Sequence, residues 1–154
     1  MSTSSTDRIE QRVELKASVS RVWRALTDHR EFGEWFRVNL EEPFVPGQKT
    51  RGRLTHPGVE HLVMEVRVVK MEAERLFSFQ WHPYAVDPKM DYSNEPPTLV
   101  EFTLEPTAAG VLLRVTESGF DALPPGRRDE AFRMNAGGWT VQLKNIEAHV
   151  RQEP

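Results

Sequence analysis

The sequence predicts an α+β domain: a curved antiparallel sheet of about six to seven strands around a long C-terminal α-helix, with two short helices after the first strand. Three observations predict it. Several segments before residue 119 alternate apolar and polar residues with period two, the pattern of a sheet with one covered face. The last segment carries apolar residues every three to four positions. Pro- and Gly-rich turn signals separate the alternating segments.

Taken in order, Arg8–Lys16 places Ile9, Val13 and Leu15 at mostly even spacing, as in an amphipathic strand. Ser18 and Ser20 are N-cap candidates for a helix carrying Val19, Val22, Trp23 and Leu26. Phe32, Trp35 and Phe36 mark a second short helix after a break near 28–30. Candidate strands follow at Arg37–Phe44, Lys49–Thr55, Glu60–Met71, Leu76–His82, Thr98–Glu105 and Val111–Ser118. A long Pro-rich connection with both tyrosines joins Trp81 to Thr98. Connections of that length are commonly functional. From Asp129, the stripe Phe132, Ala136, Trp139, Leu143, Ile146 and Val150 predicts a helix of about five turns. Gly137-Gly138 interrupts it at a cost of roughly 1 kcal/mol each relative to alanine. The expectation for this defect is bending or close approach.

The 154 residues fit one domain, expected over residues 8–151 behind a disordered polar tail of residues 1–7. With 28% charged residues and a net charge of -3, the chain lacks the basic excess of a nucleic-acid binder. The absence of cysteine removes disulfides, thiol catalysis and thiolate metal sites. Without a signal-peptide core or a run long enough to span a bilayer, the expected location is cytoplasmic. No P-loop, dinucleotide fingerprint, nucleophile elbow or H-E-x-x-H motif is present, and no cofactor or metal is expected. His56, Glu60 and His61 flank a turn but lack a third inward ligand and are read as exposed.

Several strings resemble a known family. They are Val22–Asp28 (V-W-R-A-L-T-D), Glu34–Phe36 (E-W-F), Glu74–Trp81 (E-R-L-F-S-F-Q-W), Val115–Phe120 (V-T-E-S-G-F) and Gly137–Trp139 followed by Leu143. In order and spacing they resemble the START-like, or SRPBCC, superfamily, in the subgroup related to the C-terminal domain of the activator of heat-shock protein 90 ATPase. The resemblance spans about residues 9–150. It implies the helix-grip fold and a hydrophobic cavity, but no single activity: lipid carriers, polyketide cyclases and chaperone regulators share it. The chaperone activators add a second, N-terminal domain, for which this length leaves no room.

The candidate ligand-binding residues are Phe77, Phe79, Trp81, Tyr84, Phe102, Glu117, Asn135 and Trp139, where sheet, loop and helix face one another. For each aromatic the competing reading is core packing. Trp23 and Trp35 are read as fixing the short helices. Counting by two from Val111 puts Glu117 on the inward apolar face, either buried with a partner or at the rim. Asp87, Asp91, Tyr92 and Gln142 are further polar candidates. The leading reading is binding of a small hydrophobic molecule, lipid-like or aromatic. The second is a polyketide cyclase-like or other small-molecule enzyme with Glu117 and His82 as its acid and base. The third is a chaperone-contacting module. A monomer or a homodimer fits equally.

Overall fold

The computed structural model describes residues 7–84 and 89–152. Its elements are β1 (Arg8–Leu15), α1 (Val19–Thr27), α2 (His29–Phe36), β2 (Val38–Leu40), β3 (Lys49–Leu54), β4 (Val63–Glu72), β5 (Leu76–Trp81), β6 (Thr98–Pro106), β7 (Val111–Ser118), a 3-10 turn (Phe120–Ala122) and α3 (Pro125–Gln152). One antiparallel sheet runs β1-β7-β6-β5-β4-β3-β2. The α+β helix-grip architecture expected from the sequence is therefore present.

Local chemistry explains the boundaries. Ser18 caps α1 by accepting from the Arg21 N–H at 3.0 Å, and Asp28 caps α2 by accepting from Arg30 and Glu31. β2 is shorter than the expected Arg37–Phe44. Past Leu40 the Glu41 N–H still reaches the Arg51 carbonyl, but Thr50 Oγ1 then takes the Glu42 backbone, and Pro43 has no N–H to offer. α3 begins at Pro125 rather than Asp129, because proline is preorganised for a first helical turn. Its 28 residues make it about 42 Å long. It runs unbroken through Gly137 and Gly138, where an added Cβ would meet nothing within 4 Å. Neither glycine is there for close approach.

The inward face of the sheet is filled by rings. Phe32, Phe77, Phe79 and Phe102 are almost wholly buried. Phe44 lies 5.0 Å from Phe77, Phe77 stacks on Phe102 at 6.1 Å, and Phe102 meets Trp139 edge-on at 5.7 Å. Trp35 sends its indole N–H to the Ala25 carbonyl at 2.8 Å and locks α2 on α1, as expected of it.

Candidate functional site: a buried carboxylate beside an aromatic hollow

Strand periodicity turns Glu117 inward in β7, opposite Ile9 of β1 and Val100 of β6. Its surface is wholly buried. Four side chains from three elements converge on it. Oε2 accepts from Thr98 Oγ1 at 2.6 Å and from Trp81 Nε1 at 2.7 Å. Oε1 accepts from Trp139 Nε1 at 2.8 Å, and Asn135 Nδ2 reaches Oε1 at 3.0 Å and Oε2 at 3.1 Å. No cation is among these four partners. The carboxylate is neither a rim group nor an arginine partner; uncharged donors satisfy it.

This network orients the two indoles. Trp81 and Trp139 stack at 5.8 Å with 28° between their planes, and both N–H groups point into the protein. Phe36 meets each of them, at 6.0 and 6.2 Å. On the outer side of this cluster lies a hollow of about 260 Å³. Phe36 and Trp81 form one wall, Leu54, Leu62, Val63 and Met64 from the β3–β4 hairpin another, and His82, Tyr84, Tyr92 and Asn135 supply polar edges, with Glu65 at the margin. A second hollow of about 110 Å³ shares Phe36, Trp81 and Asn135 and continues along Gly138, Trp139 and Gln142.

The connection after β5 is tied down by Arg127, in the first turn of α3. Its guanidinium donates to the Pro83 carbonyl at 2.6 Å and the Tyr84 carbonyl at 2.8 Å, pairs with Glu95 at 3.0 Å, and lies 4.7 Å over the Tyr92 ring. Tyr84 is held at φ 49°, a region uncommon for a bulky residue. In the sequence, Arg127-Arg128 followed by Asp129-Glu130 reads as a solvated helix start. Arg127 is instead only 13% exposed and serves as the clasp of the loop.

Of the residues expected to bind a ligand, the structure brings Trp81, Tyr84, Asn135 and Trp139 to the two hollows. Phe77, Phe79 and Phe102 line neither of them, because neighbouring rings cover them completely. Glu117 also stays out of both linings and works from behind, through Trp81, Asn135 and Trp139. His82 lines the larger hollow, with its Nδ1 buried and without a hydrogen-bond partner. Gln142 and Tyr92 reach the hollows; Asp91 is exposed and accepts from the Ser93 N–H at 3.0 Å, and Asp87 lies outside the described residues. His56 packs on Arg37 at 3.2 Å and Glu60 accepts from the Gly58 N–H, so that turn holds itself together. Among the described residues, no group of three His, Asp or Glu side chains is placed to hold a metal ion, and no helix is long and apolar enough to cross a membrane. The sequence reasoning missed Phe36, Leu54 and Thr98 as contributors. Leu62 and Met64 share one face of the expected strand Glu60–Met71 by alternation, which gives no sign that this face forms a wall.

The family profile described as "Activator of Hsp90 ATPase homolog 1-like protein" matches residues 16–151. This chain belongs to that family. No curated protein matches it. Among solved structures, it resembles protein MLL2253 from Mesorhizobium loti, with a TM-score of 0.75 and 22% identity over 96% of this chain and 98% of that one. It also resembles DynU16, described as a putative protein in the dynemicin biosynthetic locus, with a TM-score of 0.73 and 23% identity over 94% of this chain and 47% of that one. A third is the Aha1 dimer from Colwellia psychrerythraea, with a TM-score of 0.70 and 18% identity over 93% and 95% of the two chains. At these identities the likeness carries the fold, which this member of the Hsp90 ATPase activator homolog family shares with all three.

Proposed function

We propose that this protein binds a small aromatic ligand in the hollow between the β3–β5 end of the sheet, the C-terminal end of α2 and the middle of α3. The observation that carries the reading is the inward aim of the Trp81 and Trp139 N–H groups onto Glu117. It leaves Phe36 and Trp81 beside an open apolar space instead of collapsed into it. A hollow of about 260 Å³ lies just under the usual ~300–1,000 Å³ of small-molecule sites, which favours one or two fused rings over a lipid chain. The clasped connection around Tyr84 and Tyr92 serves as the lid.

Native mass spectrometry of the protein purified from its own host tests this reading. A reproducible added mass of an aromatic compound supports it. Gly138→Leu, which projects into the smaller hollow, should reduce retention of that mass; the same retention in the variant would remove the smaller hollow from the site. An enzyme using Glu117 and His82 as a pair finds less support, because both carboxylate oxygens are taken up and only His82 lines the space. A dimer like the one named for the Colwellia neighbour is a separate proposal, tested by light scattering of the purified chain.

A further inference from the structure

The hollow has a polarity that its apolar walls conceal. Asn135 lines both hollows, and its Nδ2 is 3.0 and 3.1 Å from the two oxygens of Glu117. A carboxylate offers acceptors to that amide, so the amide cannot turn its oxygen toward Glu117 without setting acceptor against acceptor. The Asn135 Oδ1 must then point away from the carboxylate. No described side chain or backbone group donates to it.

The other polar groups on this side are already used. The Trp81 and Trp139 N–H groups and the Thr98 hydroxyl all serve Glu117. Gln142 donates to the Phe36 carbonyl at 3.2 Å and accepts from Asn145 at 3.1 Å. The helix side of the hollow thus offers an arriving molecule one oriented acceptor, the Asn135 oxygen, while the Asn135 and Gln142 amide nitrogens are each anchored to a protein oxygen.

We infer that the site selects aromatic compounds bearing a hydroxyl or N–H donor, received by Asn135 Oδ1, and that Glu117 is the positioning residue that fixes this orientation. This inference rests on the ligand-binding reading above. A plain hydrocarbon filling the hollow would strip water from Oδ1 and leave it unsatisfied; a phenol or an indole would not.

Isothermal titration of the full chain with naphthol, its methyl ether and naphthalene tests the inference. The expected result is naphthol binding at least tenfold more tightly than either of the others. Asn135→Leu should abolish that preference while keeping or improving naphthalene affinity. Leucine suits a half-buried helix position, so this variant should fold. Glu117→Gln, confirmed folded by circular dichroism, leaves Asn135 one neutral acceptor in place of two carboxylate oxygens. The ratio of naphthol to naphthalene affinity should then fall severalfold beyond any loss common to all three compounds as Trp81 is released, a change of ratio that a loss of stability alone would not give. Equal affinities for all three compounds would overturn donor selection and leave the pocket standing. A preference that persists in Asn135→Leu would overturn the assignment of the acceptor. No heat with any of the three would remove the aromatic pocket itself.

Discussion

Replacing Glu117 by glutamine is the most direct probe of the network behind the hollow. The side chain keeps its shape but exchanges one acceptor oxygen for an NH₂ group. If the amide oxygen takes the place of Oε1, the Trp139 and Asn135 bonds survive, and Thr98 can rotate its hydroxyl to accept. The Trp81 N–H, 2.7 Å from Oε2 in the native protein, would then face another N–H. One buried donor without a partner costs about 1–3 kcal/mol, and the remaining bonds fall from roughly 1.5–3 kcal/mol with a charged acceptor to roughly 0.5–1.5 with a neutral one. Relief from burying a charge with no cation beside it returns part of this. The expected net loss is about 2–4 kcal/mol. At roughly 2–4 °C per kcal/mol for a chain of this size, the melting temperature should fall by about 5–15 °C. Urea unfolding followed by tryptophan emission measures the loss, with an unchanged slope showing that compactness is preserved. Glu117→Ala should be worse, since it strands four donors and opens a cavity. A glutamine variant as stable as the native protein, or an alanine variant more stable than the glutamine one, would refute the argument that the carboxylate holds the two indoles.

Arg127→Met should loosen the loop without unfolding the domain. Amide exchange over 89–95 should rise at least tenfold and bound ligand should leave faster; unchanged exchange would show that Arg127 does not clasp the loop. Gly137→Ala should stabilise α3 by about 1 kcal/mol, because the new methyl meets nothing within 4 Å, and a melting-temperature rise of roughly 2–4 °C is the readout. Glu31 joins three helices by accepting from Arg21 at 2.7 Å, Arg24 at 2.6 Å and His149 at 2.9 Å. Burial raises its pKa, but the hydrogen bonds from His149 and Arg21, the Arg21 charge and the Arg24 bond together hold it below its ordinary value. Its stabilisation is therefore complete above the unfolded-state pKa and lost as pH falls through the lower folded-state value. Glu31→Gln should cost on the order of 1–2 kcal/mol at neutral pH, and the gap from the native protein should close through that acidic window in urea titrations.

Much of this fold is legible because a strand's side chains alternate strictly. Val111–Ser118 matches β7 residue for residue, and counting by two along it placed Glu117 on the inner face. The same count placed Phe77, Phe79 and Phe102 inward, but alternation gives the face and not the depth. Whether an inward ring meets a hollow or another ring depends on residues such as Phe32 and Phe44 from distant elements. The partners of Glu117 lie 18 to 36 positions away along the chain, so its burial among donors was not readable from its neighbours in sequence. Arg127 was misread for a related reason. Beside Arg128, Asp129 and Glu130 it looks like one more surface charge. Only the return of the loop carbonyls of Pro83 and Tyr84 over α3 turns it into a half-buried clasp.

The sequence leads to the expectation of a hydrophobic cavity between sheet and helix; most of the interior there is aromatic core, and the open space lies at one end. The reason can be traced to Glu117. An indole at position 81 with no inward partner would gain by folding over Phe36 and closing the gap, since apolar contact is stabilising and non-directional. The bond from Trp81 to the carboxylate is directional and desolvated, and it opposes that collapse. The carboxylate divides the interior. On one side rings pack without space between them, and on the other the Trp81 ring is held short of the β3–β4 hairpin. A charge that contributes to neither lining therefore keeps the hollow open, and replacing it tests the architecture and the proposed binding together.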